Sequence, residues 1–272
     1  MLSAWMRFSE AFVGNGGGVG GGMFHAPHIM ECAERYLGVL RQQLEFVFTG
    51  QAPALDAAAA AIAEALVTGR TLFVAGTGHS HLLALELFYR AGGLVRAVPI
   101  LDEDLMLHRS ASDSSGFERE SGRAEALLTR YGVGTGDALI VISNSGRNAV
   151  PVELALGGRA RGARVIALTS RKHSAAHPSR HASGLRLMEV VEVVLDNGGV
   201  EGDATLDLGQ GVVMGATSTA VGAALLQAIA AESAARAMAA GWAPEVYRSS
   251  NGSGEQENTR YLEKYRGVIP HL

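Results

Sequence analysis

Residues Ala138-Leu139-Ile140-Val141-Ile142 form an unbroken apolar run that stops at Ser143-Asn144-Ser145-Gly146-Arg147-Asn148. A run this short, with no polar alternation, suits a strand covered on both faces. A helical pattern then starts at about Asn148. A strand, a polar turn and a helix start in succession present free backbone N–H groups and the positive end of a helix dipole. The hydroxyls of Ser143 and Ser145 can donate to the same point. The stretch therefore asks for a sheet with helices on both sides, and marks a place for an anion, phosphate above all.

The rest of the chain repeats the pattern. Thr71 to Ala75 reads as a first buried strand, followed by Gly76-Thr77-Gly78-His79-Ser80 and a helix to about Ala91. Val95 to Ile100 is a second strand, after which Asp102 caps a short helix carrying Met106 and His108. Residues 110 to 116 are a Ser-rich loop, and Phe117 to Tyr131 a helix. Arg164 to Leu168 and Val190 to Leu195 are the fourth and fifth strands. Ahead of them lie two helices, one ending near Phe48 and one from about Pro53 to Val67, which Gly69 closes. An alanine-rich helix from about Gly215 to Ala240 and a short one from Glu255 to Tyr265 close the chain. This β-α-β-α alternation predicts an α/β fold: a three-layer α/β/α sandwich around a parallel sheet, with a helical N-terminal lead-in. Ligands of such sheets bind beyond the C-terminal ends of the strands, near the switch in strand order. Three such ends carry Gly/Ser/Thr turns, at 76–80, 143–148 and 169–174, which predicts one shared site.

Composition removes several classes. A net charge of -4 leaves no basic face for nucleic acid. Cys32 is the single cysteine, so there is neither an intrachain disulfide nor a Cys-based metal cage, as suits a cytoplasmic protein. It falls in a helical pattern far from the Gly/Ser turns and reads as structural. No apolar run reaches the roughly 18 residues a membrane span needs. Residues 1–22, almost all glycine from 14 onward, read as a disordered extension before Met23, and residues 23–272 as a single domain with a C-terminal helical tail.

Gly76-x-Gly78 is not a dinucleotide fingerprint, because His81 stands where the third glycine belongs. On a helix running through this turn, His79, Leu83, Glu86 and Arg90 would share one face. His79 and Glu86 are then candidate acid–base groups, although Glu86 and Arg90 also suit a surface ion pair. Glu153, on the helix after the Ser143–Asn148 turn, is a third catalytic candidate. Thr169-Ser170-Arg171-Lys172-His173-Ser174 adds hydroxyls and two cations that can complete an anion cradle. The histidines lack metal-ligand spacing, so no metal or other cofactor is expected.

Ser143-Asn144-Ser145-Gly146, after a strand and before a helix, resembles the phosphosugar-binding signature of the SIS (sugar isomerase) domain. Gly76-Thr77-Gly78-His79-Ser80 resembles that domain's first-strand turn, and Thr169-Ser170 with Ser174 its second serine/threonine loop. Over residues 35 to 250 the chain is similar to bacterial SIS proteins named as sugar or phosphoheptose isomerases. The resemblance implies a flavodoxin-like, five-stranded parallel sheet, a homodimer or homotetramer with sites near the interface, and a phosphate held by Ser80, Ser143, Ser145, Thr169 and Ser174. With Gly78, Asn144, Gly146 and Ser170 these make the expected binding set. Phosphoheptose isomerases carry a metal-binding His and, a turn later, a Glu where this chain has Glu86 and Arg90. The expected function is aldose–ketose isomerisation of a phosphorylated sugar, the alternatives being a non-catalytic phosphosugar sensor or an amino-sugar-phosphate lyase or etherase.

Overall fold

Leu139, Ile140 and Val141 are fully buried at the centre of the molecule in the computed structural model, which describes residues 31–251 and 254–272. They belong to β3 (Ala138–Ile142), flanked by β1 (Leu72–Gly76) on one side and β4 (Arg164–Thr169) on the other. With β2 (Ala97–Ile100) and β5 (Val193–Asp196) they make one five-stranded sheet of order β2-β1-β3-β4-β5, parallel throughout. The chain leaves β1 toward β2 and returns on its other side as β3. The strand order therefore reverses between β1 and β3, where their ends pair as Gly76 and Ile142.

Unbroken apolar runs are needed here because both faces are covered. Phe73, Ala75, Leu139, Val141, Val165 and Ala167 point into one layer, with α5 (Arg123–Tyr131), α6 (Ala149–Ala160) and α9 (Glu255–Tyr265). Leu72, Val74, Ile140, Ile142, Ile166 and Leu168 point into the other. That layer holds α1 (Glu31–Thr49), α2 (Ala52–Val67), α3 (His81–Leu87) and α8 (Ser218–Ala239). The alanines of α2 let α8 lie close against it. The three-layer α/β sandwich with helices ahead of the first strand is as expected. Among the described residues no single helix is long and apolar enough to cross a membrane. The Gly-rich stretch up to residue 22 lies outside the described residues.

Four local expectations change. The helix after the first turn stops at Leu87, short of Ala91, because the next segment is drawn onto the C-terminal part of the chain. Gly92 N–H donates to Tyr247 O at 2.8 Å and Tyr247 N–H to Gly93 O at 2.9 Å. Phe88 is therefore extended and Tyr89 takes φ +42°. The Ser-rich segment is helical, as α4 (Ala111–Phe117), because the Ser110 hydroxyl caps it by accepting from Asp113 N–H. Phe117 ends α4, and α5 begins only after Gly122 at φ +94°. Finally, residues 204–216 form an antiparallel hairpin, β6 (Ala204–Asp207) and β7 (Val213–Ala216), where the sequence suggested no strands. It is laid against α1, where the Tyr36 hydroxyl donates to Ala216 O at 2.7 Å.

Candidate functional site

The turns after β1 and β3 open into one cleft of about 330 Å³ at the strand-order switch. Gly76 makes the first turn possible: a Cβ there would lie 2.4 Å from Ser80 O, so the chain can fold back on itself only without one. The turn continues as a 3-10 segment, Gly78–Ser80, and places Gly78, His79 and Ser80 on the cleft wall. His79 thus precedes α3 instead of riding on it. The opposite wall is Ser143, Asn144 and Ser145. The Ser143 hydroxyl accepts from Gly146 N–H at 3.1 Å, which leaves its own O–H to donate. The Ser80 and Ser145 hydroxyls bond to no protein group among the described residues. The same holds for the backbone N–H groups of Ser145, Arg147 and Asn148. Hydroxyl donors and open N–H groups on two adjoining turns suit a phosphate.

The third hydroxyl-rich turn is adjacent, but its hydroxyls are turned inward. Thr169, Ser170 and Ser174 are fully buried and none lines the cleft. Thr169 donates to Asn144 O at 3.2 Å; Ser170 donates to Gly199 O at 2.7 Å and caps α7 (Arg171–Ala175) through His173 N–H. Ser174 lies beneath Gly146, with no hydrogen-bond partner among the described residues. Gly146 itself is buried between Thr169, Ser174 and Leu187. These residues brace the Ser143–Asn148 turn from below. From this segment only His173 reaches the cleft. Its Nδ1 accepts from Gly202 N–H at 2.9 Å, which assigns the proton to Nε2 in the neutral ring and makes that nitrogen a donor.

Two of the three catalytic candidates stand elsewhere. Glu86 is held by Arg90 and by Gln227 Nε2 at 3.0 Å, the surface pairing its spacing also allowed, and it does not line the cleft. Glu153 accepts from Gly122 N–H at 2.8 Å and lies 3.9 Å from His181 Nε2, so it serves the start of α5. His79 remains in the cleft.

The cleft carboxylates are Glu118 and Asp203, neither of them a sequence candidate. Asp203 sits at φ +65° at the start of the hairpin. It accepts from Thr217 N–H, Ser218 N–H and the Ser218 hydroxyl at 3.2, 2.9 and 2.6 Å. Both its oxygens are committed to the start of α8. Glu118 keeps one free: Oε1 accepts from the Thr77 hydroxyl at 2.8 Å, while Oε2 bonds to no protein group among the described residues. Three contacts hold the segment that carries it. Its carbonyl accepts from Val150 N–H at 3.1 Å, the Arg123 guanidinium lies 4.4 Å over Phe117, and Arg123 reaches Asp104 at 3.1 Å. Ala216, Ser218 and Thr219 complete the lining. The hairpin that carries Ala216 and leads into α8 had a usable signal, since Gly209-Gln210-Gly211 separates two short β-prone runs. Glu118 had none, because it reads as one of several charged residues on a helix from Phe117 to Tyr131, with nothing in that pattern to set it apart. Among the described residues no group of three or more His, Cys, Asp or Glu is placed to hold a metal ion.

A SIS-domain profile matches residues 35–170. The UPF0309 protein of Geobacillus thermodenitrificans is 42% identical over 241 residues, 88% of this chain and 97% of that one. That of Brucella canis is 43% identical over 245 residues, 89% and 99% of the two chains. Among solved structures, a phosphoheptose isomerase from Francisella tularensis superposes with a TM-score of 0.49 at 15% identity, covering 74% of this chain and 96% of that one. With a family profile spanning half its length and relatives above 40% identity over almost nine-tenths of it, the chain belongs to the SIS-domain family, among the UPF0309 proteins.

Proposed function

We propose that this protein binds a phosphorylated sugar in the β1/β3 cleft and interconverts its aldose and ketose forms. The observation that carries this reading is one carboxylate with a free oxygen, Glu118, in the same cleft as the free hydroxyls of Ser80, Ser143 and Ser145. The hydroxyls and open N–H groups hold the phosphate. Glu118 takes the proton from C2 of the open-chain aldose, and the C2–H electron pair forms the C1–C2 double bond of an enediolate. The carboxylic acid then returns the proton to C1 on the double-bond pair, while the O2 hydroxyl proton passes to O1 and the O2–H pair forms C2=O, which yields the ketose. His79 and the Nε2–H of His173 are the donors at hand for ring opening and for the developing oxyanion. Thr77 keeps the Glu118 carboxylate oriented through both proton transfers.

Incubation with aldose and ketose phosphates in deuterated water tests the reading. Interconversion with solvent deuterium appearing at C1 or C2 is the expected result. Tight binding with neither interconversion nor exchange would sink it and leave a binding protein. The phosphate subsite is tested separately. Ser145→Ala removes a donor that supports nothing else in the fold, so calorimetry should show affinity for a sugar phosphate weakened by about 1–3 kcal/mol with the melting temperature unchanged. Unchanged affinity would remove Ser145 from the subsite.

A further inference from the structure

Beside the phosphate turn stand three guanidinium groups that the isomerisation does not use. Arg147 lies two residues beyond Ser145 and Arg119 follows Glu118, so both belong to segments that reach the cleft wall, although none of the three arginines lines the cleft itself. Arg180 is brought to the same place by the loop after α7. Its N–H donates to Arg147 O at 2.7 Å, and its Nη1 donates to Asn148 Oδ1 at 3.1 Å. Arg147 Nε donates to Pro178 O at 3.0 Å, which closes the loop back onto the turn. The carbonyl of Glu118, accepting from Val150 N–H, fixes Arg119 against the start of α6.

None of the three makes a salt bridge among the described residues, whereas Arg123, Arg161 and Arg186 close by in the chain all do. Arg180 is held below the ordinary range of a guanidinium by partial loss of water and by repulsion from Arg147 and then Arg119, with Glu118 the carboxylate that opposes this. Like charges gathered this closely cost stability unless something negative joins them. One phosphate is already served by the neutral hydroxyls and N–H groups of the two turns.

Resting on the phosphosugar reading above, we infer that the substrate carries a second anionic group, a carboxylate or a second phosphate, which Arg119, Arg147 and Arg180 receive at the rim of the cleft. Guanidinium groups suit either oxyanion, since their planar N–H pairs match its two oxygens. The substrate class is thus an acidic or doubly phosphorylated sugar instead of a neutral sugar monophosphate.

Calorimetry on the full chain with fructose 6-phosphate, 6-phosphogluconate and fructose 1,6-bisphosphate tests this. At least one of the two doubly anionic probes should bind about tenfold or more tightly than fructose 6-phosphate, and which one does so tells carboxylate from phosphate. In Arg119→Gln and Arg180→Gln that advantage should disappear while affinity for fructose 6-phosphate is kept. The Arg119 side chain makes no hydrogen bond among the described residues, so its variant guards against a failure to fold. Equal affinity for all three probes in the parent protein overturns the inference and leaves the phosphosugar reading standing. Equal loss of all three in the variants also overturns it, since the arginines would then serve the first phosphate. Absence of binding by every probe overturns both.

Discussion

Glu118→Gln is expected to lower turnover of the sugar phosphate by about 10²–10⁴-fold, the usual contribution of a positioned general base. The substitution keeps the shape of the side chain, and the amide oxygen can still accept from the Thr77 hydroxyl. The Val150 N–H bond to residue 118 is a backbone contact and is untouched. What is lost is an oxygen able to take a proton from carbon. Affinity for the sugar phosphate should therefore stay close to that of the parent protein, and the melting temperature with it, so the loss falls on kcat. Steady-state kinetics with calorimetry on the same preparations separates the two quantities. A variant that turns over at the parent rate would place the base elsewhere. Glu86→Gln and Glu153→Gln supply the contrast, since one side chain faces Arg90 and Gln227 and the other the start of α5.

Gly146→Ala should damage the fold of the turn after β3. Gly146 has φ +58°, a conformation that costs a residue with a Cβ about 1–2 kcal/mol. A Cβ would also lie 3.1 Å from Thr169 Oγ1, 3.2 Å from Leu187 Cβ and 3.3 Å from Ser174 Oγ, all on buried residues. Crowding in a filled interior adds about 1–3 kcal/mol. Together these predict a fall in melting temperature on the order of 10 °C, at about 2–4 °C per kcal/mol for a domain of this size. Gly184→Ala separates the two causes. Gly184 has φ +75° but nothing within 4 Å of its added Cβ, so it carries the backbone cost alone. Thermal melts of both variants should show the larger drop at position 146. Equal drops would mean that Thr169, Ser174 and Leu187 do not confine the turn.

The strands could be placed from the sequence because each is a short apolar run that ends in glycine or hydroxyl residues. Burial on both faces and the turn that follows are local demands, legible without knowing the neighbours. The ends of elements were less legible where a distant segment intervened. Leu87 ends α3 because Tyr247 pairs with Gly92 and Gly93, and Ser110 starts a helix inside a stretch that composition alone reads as loop. At the site, the first two turns open into the cleft as their residues suggested. The third shows the limit. A hydroxyl at a strand end can donate to a ligand or to the carbonyl of the next turn, and Thr169 and Ser170 are committed to Asn144 and Gly199.

What the sequence determined by itself is the sheet, its covering helices and the two turns that open into the cleft, because hydrophobic burial and backbone hydrogen bonding act within a segment. What only the tertiary structure decided is which carboxylate faces that site. Glu118 is 41 residues from its partner Thr77 and Asp203 is 15 from Ser218, while Glu86 and Glu153 are drawn to other partners. A carboxylate turns toward whichever donors the packing brings within about 3 Å, and that distance is set by how whole elements stack.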